Sequence, residues 1–389
     1  MTTRRGGQPD HALVERLRAR AAERIAGAFV DGEELRRQID DVIDEDRVFL
    51  SEDARAVTLQ AVVDEALGLG PIEHLLRDPS VTEIAVNGPR RVFVEREGQM
   101  QSTEVTFADD EHVMHVIDRV LSPLGRRVDV ASPMVDARLA DGSRLNVVVP
   151  PLALDGPSLA IRRFPEQPLT AEDLLRNGTV DEELRALLET AVTDHQNLLV
   201  TGGTGSGKTT TLAVLASFIE PHERLITIED AAELRIELPH VVRLESRPPS
   251  LQGTGAVTIR DLVRNALRMR PDRIVVGEVR GHEALDMLAA MTTGHEGSIS
   301  TIHASSPEDA LRRLQLLAAM GDSEIAYDAI VDQVASAIDL VVHQVRLADG
   351  RRRISSVAAV HRGADRRPEL VELARWIPGA DRFETRGLP

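Results

Sequence analysis

Residues 202–209 constrain the fold of this chain more than any other part of its sequence. They read Gly-Gly-Thr-Gly-Ser-Gly-Lys-Thr and satisfy the spacing G-x-x-x-x-G-K-[ST], in which glycines let backbone N–H groups curl around phosphates. The apolar stretch 197–200 precedes this motif and the helical run 210–218 follows it. A strand, a glycine-rich loop and a helix in this order predict an α/β domain with a phosphate site at a helix N-terminus.

Lys208, inside this motif, is the only lysine among the 46 basic residues, and every other one is arginine. We attribute the general bias to coding composition. A lysine at this one position indicates a need for a compact ammonium group that a planar guanidinium cannot replace. Its predicted role is to reach the outer phosphates, while the Thr209 hydroxyl binds Mg²⁺. The predicted nucleotide-binding residues are Gly202, Gly203, Thr204, Gly205, Ser206, Gly207, Lys208, Thr209 and Thr210.

An acidic segment follows the apolar strand 225–228, which is another strand of the predicted parallel sheet. Glu229 and Asp230 come directly after this strand, and Glu233 follows three residues later. Carboxylates at the end of a parallel strand beside a phosphate loop can orient Mg²⁺ or water. The alternative is that Glu229 and Asp230 merely begin a loop, and we favour the functional interpretation.

Glu278 follows the buried strand 274–276 and a glycine, at a position where phosphate-loop enzymes usually carry aspartate. An ionised carboxylate at such a position requires a partner, because its charge is costly to bury. That partner is either Mg²⁺ with a bound water, which we favour, or Arg280 in a structural salt bridge.

His295 and His303 flank the polar strand 298–302. Their spacing differs from the helical H-E-x-x-H zinc pattern, and the chain has no cysteine to complete a structural zinc site, so we predict no zinc site here. A polar strand beside the nucleotide strand suits a sensor of the γ-phosphate. The alternative is a pair of partly buried, hydrogen-bonded histidines.

The sequence patterns divide the chain into four segments. Residues 1–66 have helical spacing, with Leu13, Leu17 and Ala21 on one face and a predicted helix start at Ser51. Short β-branched stretches separated by turns predict an α+β domain over 67–164. A proline-containing linker over 165–170 leads to the α/β domain, 171–389, which includes a helix over 258–270, a hairpin from 340 and a loosely specified tail.

Composition excludes several functional classes. The formal net charge is −17 and aromatic residues make up 2%, which argues against a nucleic-acid motor with a basic or base-stacking groove. The absence of cysteine excludes disulfides and thiolate metal sites. An apolar run near the ~18 residues of a membrane span does not occur, and an apolar signal region does not follow the first ten residues.

Four segments resemble the Walker A, Asp box, Walker B and His box of the type II/IV secretion ATPase superfamily. In this order they are GGTGSGKTT, ITIEDAAELRI, PDRIVVGEVRG and TTGHEGSISTIHASSPEDALRRL. VTEIAVNGPRRVFVEREG and DGSRLNVVVPP resemble the N-terminal domain of that family, so the resemblance covers about 73–345. The chain most resembles the Tad/Flp pilus assembly ATPases (CpaF-like), which carry a similar helical preface. The tetracysteine zinc module of many type II secretion relatives has no counterpart here.

The resemblance implies a homo-hexamer of RecA-like P-loop ATPase domains, each preceded by a PAS-like α+β domain and a helical extension. It implies ATP and Mg²⁺ as cofactors, with Thr209, Glu229 and Glu278 as metal ligands. It also implies that the two glutamates and His303 take part in catalysis. Arg144 and Arg162 resemble the N-terminal-domain arginines that reach the phosphates, with Arg163 as an alternative to Arg162.

The resemblance also implies a partner and a location. The expected protein is cytoplasmic and is associated with the inner face of the cell membrane through an inner-membrane platform protein. There it would power Tad/Flp pilus assembly or related secretion without direct binding to nucleic acid. The alternatives are a type IV secretion ring ATPase and a nucleotide-gated scaffold subunit with little turnover.

Overall fold

The computed structural model describes residues 11–25, 32–96, 98–163, 168–247, 249, 254–321 and 325–387. The chain divides into two compact units, residues 1–165 and 166–389. The predicted linker at 165–170 lies partly outside the described residues.

In the described part of the N-terminal unit, the first three helices pack around a small aliphatic core. They are α1 (His11–Ile25), α2 (Gly32–Glu45) and α3 (Glu52–Leu67). The predicted start at Ser51 is confirmed, because its side chain accepts a hydrogen bond from the Ala54 N–H and caps α3. The predicted apolar face of α1 is also confirmed, since Leu13, Leu17 and Ala21 are buried in this core.

The rest of the N-terminal unit is an antiparallel sheet with helices, as the α+β prediction requires. Its helices are α4 (Glu73–Arg77) and α5 (Asp110–Leu121). Among the described residues, six strands pair in the order β3-β2-β1-β6-β5-β4. They are β1 (Val81–Asn87), β2 (Val92–Arg96), β3 (Gln99–Ser102), β4 (Met134–Arg138), β5 (Arg144–Val148) and β6 (Ser158–Arg162).

The C-terminal unit is built on one large mixed sheet. Within the described part, nine strands pair in the order β15-β14-β13-β12-β7-β11-β10-β8-β9. The six from β12 to β9 in this order are parallel, and β13 to β15 continue the sheet as antiparallel strands. They are β7 (Leu198–Gly202), β8 (Leu225–Glu229), β9 (Val241–Glu245), β10 (Arg273–Val276), β11 (Ile299–His303), β12 (Leu340–Arg346), β13 (Arg352–Arg362), β14 (Pro368–Ile377) and β15 (Arg382–Thr385).

Helices cover both faces of this sheet, which is why its parallel strands are apolar on both sides. Leu198 and Val200 of β7 enter one core, and Leu199 enters the other. The helices are α6 (Ala171–Arg176), α7 (Glu182–Thr193), α8 (Lys208–Ala216), α9 (Ile259–Ala266), α10 (Glu283–Met291), α11 (Pro307–Gly321) and α12 (Tyr327–Ala337). No helix in the described ranges is both long and apolar enough to span a membrane.

Two sequence-based expectations for this unit were wrong. The tail is not loosely specified: β14 and β15 extend the hairpin β12–β13 into an antiparallel ribbon. The ribbon alternates partly buried and exposed positions, and its charged residues obscure the strand pattern. The helix expected over 258–270 ends earlier, at Ala266, and the chain reaches Pro271 through tighter turns.

Candidate nucleotide site

The glycine-rich motif joins β7 to α8, as the sequence predicts. Gly205 and Gly207 have φ angles of +68° and +96°, which glycine adopts without the strain that a side chain would introduce. Gly207 immediately precedes α8, and the buried Ser206 hydroxyl donates to the Gly203 carbonyl at 2.9 Å. The loop therefore ends at the N-terminus of a nine-residue helix, where backbone N–H groups and the helix dipole favour an anion.

Lys208, the first residue of α8, turns its ammonium group back into this loop. Its Nζ donates to the carbonyl oxygens of Gly202 and Gly203 at 3.1 and 3.0 Å and lies 3.4 Å from His303 Nδ1. Burial lowers the pKa of Lys208, and the Arg280 charge lowers it further while Glu278 opposes the shift. A partly desolvated cation in the centre of the loop is suited to binding the outer phosphates of a nucleotide.

The acidic and histidine residues predicted for the site come from adjacent parallel strands. His303 ends β11 directly opposite Gly202 of β7, and β10 lies between β11 and β8. Glu229 is the last residue of β8, and Glu278 follows β10 by two residues. Because these strands are parallel, their carboxyl ends share one edge of the sheet, where α/β folds bind ligands.

Glu229 is 4% exposed and is held by the backbone of the following loop. Its Oε1 accepts hydrogen bonds from the N–H groups of Glu233 and Leu234 at 2.9 and 3.0 Å. Burial raises the pKa of Glu229 to about 7, although these two hydrogen bonds favour the ionised form. The strand end at Gly277 comes so close that a Cβ there would lie 2.8 Å from Glu229 Cγ.

Glu278 is more accessible, and its Oε2 accepts a hydrogen bond from Arg280 Nη2 at 2.7 Å. Burial alone would raise the pKa of Glu278, but the hydrogen bond and charge of Arg280, together with Lys208, lower it overall. The salt bridge considered as the structural alternative is therefore present. The carboxylate is nevertheless ionised beside Lys208 and remains one-quarter exposed, so it can also act on a water molecule.

The two histidines are separated by β11 rather than paired. His303 lies at the phosphate-loop end, with Nε2 3.5 Å from the Thr204 hydroxyl. Burial and the charge of Lys208 lower its pKa, so the imidazole is predominantly neutral near pH 7. His295 precedes β11 at the other end of the strand. The structure therefore brings only His303 to the predicted site.

The donor set fits Mg²⁺ bound through a nucleotide. Among the described residues, no three histidine or acidic side chains form a group that could hold a metal ion by themselves. Mg²⁺ usually binds through one or two protein oxygens together with substrate phosphates. Thr209, the second residue of α8, and the carboxylates of Glu229 and Glu278 at the same sheet edge supply oxygens of the required kind.

Arg144 and Arg162 belong to the N-terminal unit, where they are direct cross-strand partners on β5 and β6. Arg138 of β4 pairs with Arg144 on its other side. Three arginines therefore lie in one row across β4, β5 and β6. Arg163 differs, because its guanidinium donates to the backbone carbonyls of Asp78 and Val81.

Sequence reasoning missed the contribution of the hairpin β12–β13 to the phosphate loop. Gln344 of β12 is 1% exposed and accepts a hydrogen bond from Thr211 of α8 at 2.7 Å. Arg352 of β13 donates from Nε to the Gly205 carbonyl at 3.3 Å. One signal was available, namely a glutamine within the apolar run Leu-Val-Val-His-Gln-Val.

Comparisons with known proteins agree with this architecture. The family model for "type II/IV secretion system protein" matches residues 65–372. A Mycobacterium tuberculosis protein with the provisional name of a conjugal transfer protein is 40% identical over 316 residues, covering 79% of this chain and 89% of that protein. The protein VirB11 of Agrobacterium fabrum is 35% identical over 312 residues, covering 70% of this chain and 87% of VirB11.

Two solved structures share the fold. The pilus retraction motor PilT with bound ADP matches with a TM-score of 0.56 at 20% identity, over 76% of this chain and 83% of PilT. The Legionella pneumophila ATPase DotB matches with a TM-score of 0.53 at 20% identity, over 74% of this chain and 78% of DotB. The predicted fold class, an N-terminal domain followed by an α/β P-loop domain, is confirmed, and the chain belongs to the type II/IV secretion system protein family.

Proposed function

We propose that this chain is an ATPase that forms a hexameric ring and drives a type IV secretion or pilus machine. One observation carries the proposal: the single lysine of the chain lies in a phosphate loop whose sheet edge also holds Glu278, Glu229 and His303. This combination of a cation, a helix N-terminus and carboxylates is what phosphoryl transfer to water requires.

Each residue has a distinct proposed role. Lys208 and the N-terminus of α8 bind the outer phosphates, and the Thr209 hydroxyl with Glu229 holds Mg²⁺, which when bound neutralises phosphate charge. Glu278 orients the attacking water and accepts its proton, because it is the more exposed of the two carboxylates. His303 contacts the Thr204 hydroxyl and the Lys208 ammonium group, and through these two groups it senses the outermost phosphate.

Arg144 and Arg162 are proposed to neutralise the charge that develops on the transferred phosphoryl group. Arginines of this kind contribute about 10³ to 10⁵ in rate, so their movement can gate hydrolysis. The contacts of Arg163 with backbone carbonyls favour Arg162 as the arginine that reaches the phosphate.

The machine that this ATPase serves has two candidates. Type IV secretion is favoured by the description of the matching family, and conjugal transfer is favoured by the name of the M. tuberculosis relative. Tad/Flp pilus assembly is favoured by the helical preface α1–α3, most of which precedes the family match at residue 65. Deleting the gene and scoring both pilus formation and protein or DNA export distinguishes the two.

The proposed partners follow from the motor interpretation. The chain would assemble as a homo-hexamer and dock on an inner-membrane platform protein from the cytoplasmic side. The formal charge of −17 argues against direct nucleic-acid binding by the motor itself. Addition of single- or double-stranded DNA should therefore leave the rate of ATP hydrolysis unchanged.

Phosphate release by the purified protein tests the ATPase proposal. Wild type should hydrolyse ATP with Mg²⁺, and Glu278→Gln should abolish turnover while nucleotide binding remains. Glu296→Gln is the matched control, because Glu296 is exposed and precedes β11 at the end away from the phosphate loop. ATP binding without hydrolysis in a confirmed wild-type hexamer would instead favour the scaffold alternative.

A further inference from the structure

The buried side chain of Gln344 connects the hairpin β12–β13 to the phosphate loop. Gln344 lies opposite Gly202 in the pairing of β12 with β7. Its Oε1 accepts the hydroxyl hydrogen bond of Thr211, a residue in the first turn of α8. The amide therefore fixes the start of the same helix whose N-terminus forms the predicted anion site.

The glycines at both ends of the loop leave space for Gln344. A Cβ on Gly202 would lie 2.2 Å from the Gln344 carbonyl oxygen, which is closer than any real contact. A Cβ on Gly207 would lie 3.1 Å from Gln344 Nε2. The loop therefore packs against the backbone of Gln344 at Gly202, and at Gly207 against the Gln344 amide and the Arg352 side chain, whose Cδ would lie 2.9 Å from that Cβ.

An arginine of the same hairpin supports the turn of the loop. Arg346 and Arg352 are paired at its end, and Arg352 Nε donates to the Gly205 carbonyl. In a trans peptide the N–H points opposite to the carbonyl, so this bond directs the Ser206 N–H away from Arg352. That N–H donates to the Gly203 carbonyl at the long distance of 3.4 Å.

The hairpin end is itself held from the antiparallel ribbon. Asp381, between β14 and β15, accepts hydrogen bonds from Arg351 and Arg353, the two chain neighbours of Arg352, at 2.9 and 3.2 Å. Trp376 Nε1 donates to the same carboxylate at 3.0 Å. The support of the phosphate loop is therefore continuous with the strands that the tail of the chain forms.

We propose that Gln344 is a positioning residue for nucleotide binding, acting through Thr211 and, together with Arg352, setting the direction of the loop N–H groups. The proposal rests on the proposed nucleotide binding of this loop. Its competing explanation is that Gln344 is an ordinary buried amide that contributes only to folding. The positioning role requires nucleotide affinity to fall when the amide is removed from a protein of equal stability, whereas a role in folding alone leaves that affinity unchanged.

Gln344→Met tests the proposal, because methionine has a similar volume and lacks both the oxygen and the nitrogen of the side-chain amide. We expect the dissociation constant for Mg²⁺-ADP to increase about tenfold, because the Thr211 hydroxyl loses its buried acceptor. In the nucleotide-free protein, we expect faster hydrogen exchange in the first turn of α8. Gln315→Met is the matched control: Gln315 is a buried glutamine of α11 that likewise accepts one hydroxyl hydrogen bond, from Tyr327.

Thr211→Val removes the same hydrogen bond from the other side and keeps the test available if Gln344→Met fails to fold. It should weaken ADP binding by about fivefold, and its effect should not add to that of Gln344→Met. Wild-type affinity in both variants, or in Thr211→Val alone where Gln344→Met does not fold, would overturn the positioning role. An equal loss of affinity in the Gln315→Met control would also overturn it. Failure of wild type to bind ADP would instead refute the proposed function.

Discussion

The two units bury glutamates in contrasting ways. Glu65 of the N-terminal unit and Glu229 of the C-terminal unit are both 4% exposed. Glu65 lies between His112 Nε2, at 3.0 Å, and the guanidinium of Arg119, at 3.3 Å. Glu229 instead accepts hydrogen bonds from the two backbone N–H groups of Glu233 and Leu234.

The pKa values of Glu65 and Glu229 are shifted in opposite directions from the ordinary value of a glutamate. Burial tends to raise both, but the hydrogen bond and charge of His112, with Arg119, lower the pKa of Glu65 below its ordinary value. For Glu229 burial prevails and raises the pKa to about 7. A buried carboxylate with side-chain cations is already neutralised by the protein, whereas one held by backbone groups is suited to a cation that arrives with the substrate. We therefore propose that Glu65 is a structural carboxylate and that Glu229 is a functional one.

Substitution of Glu65 should have the largest effect on stability. Glu65→Gln removes the carboxylate charge that His112 and Arg119 contact. Breaking a buried ion pair lowers the free energy of unfolding by about 3 kcal/mol. Denaturant unfolding of the full chain measures this. Glu23→Gln is the control, because Glu23 pairs with Arg20 on the surface and should change stability by less than about 0.5 kcal/mol. Equal effects would refute the structural role of Glu65.

Glu229→Gln should show the reverse behaviour, with a loss of activity and little loss of stability. The amide oxygen can still accept from the Glu233 and Leu234 N–H groups, but a charged oxygen ligand is lost, and kcat should fall by about 100-fold. Glu223→Gln is the control from the same unit, because Glu223 is equally buried but forms a salt bridge with Arg273. It should lower stability while the kcat of the folded enzyme stays near wild type.

The pH dependence of stability should differ in sign between the two carboxylates. The pKa of Glu229 is raised in the folded state, so its contribution to stability decreases as pH rises from about 4.5 through 7. Glu229→Gln should therefore gain stability relative to wild type across this range. The pKa of Glu65 is lowered, so its contribution is present above about 4.5 and is lost as pH falls through the folded-state pKa. Parallel pH profiles for Glu229→Gln and wild type would contradict the assignment.

Gly277→Ala should lower stability less than Glu65→Gln does and should still disturb the candidate site. The added Cβ would lie 2.8 Å from Glu229 Cγ, so the carboxylate must shift, at about 1–2 kcal/mol of unfolding free energy and a measurable loss of kcat. Gly379→Ala meets no atom within 4 Å and serves as the control. Wild-type kcat in Gly277→Ala would show that the position of Glu229 is not critical.

The sequence could identify the parts of the site that lie in continuous motifs at strand ends. Lys208, Glu229 and Glu278 each come after a recognisable apolar strand and His303 after a polar one, and parallel pairing brings such strand ends together. For Gln344 the sequence shows only a polar residue within an apolar run. It could not show the contact with Thr211, which is 133 residues away and depends on β12 lying beside β7.

The charged tail and the buried cluster in the N-terminal unit were also beyond the sequence patterns. The strands β14 and β15 carry several ion pairs, such as Arg375 with Glu384, and this hides their period. Glu65 and His112 are 47 residues apart on different helices, so neither position suggests the other. Local patterns therefore predicted the elements, and tertiary packing determined which polar residues meet.

We propose that the ammonium group of Lys208 binds the phosphates of ATP at this loop. Calorimetric titration of wild type and Lys208→Arg with a non-hydrolysable ATP analogue and Mg²⁺ tests it most directly, because arginine keeps the charge but changes its shape. We expect wild type to bind the analogue, and we expect the dissociation constant of Lys208→Arg to be larger by at least about tenfold. Equal affinity in the two proteins, or no heat of binding in wild type, would contradict the claim.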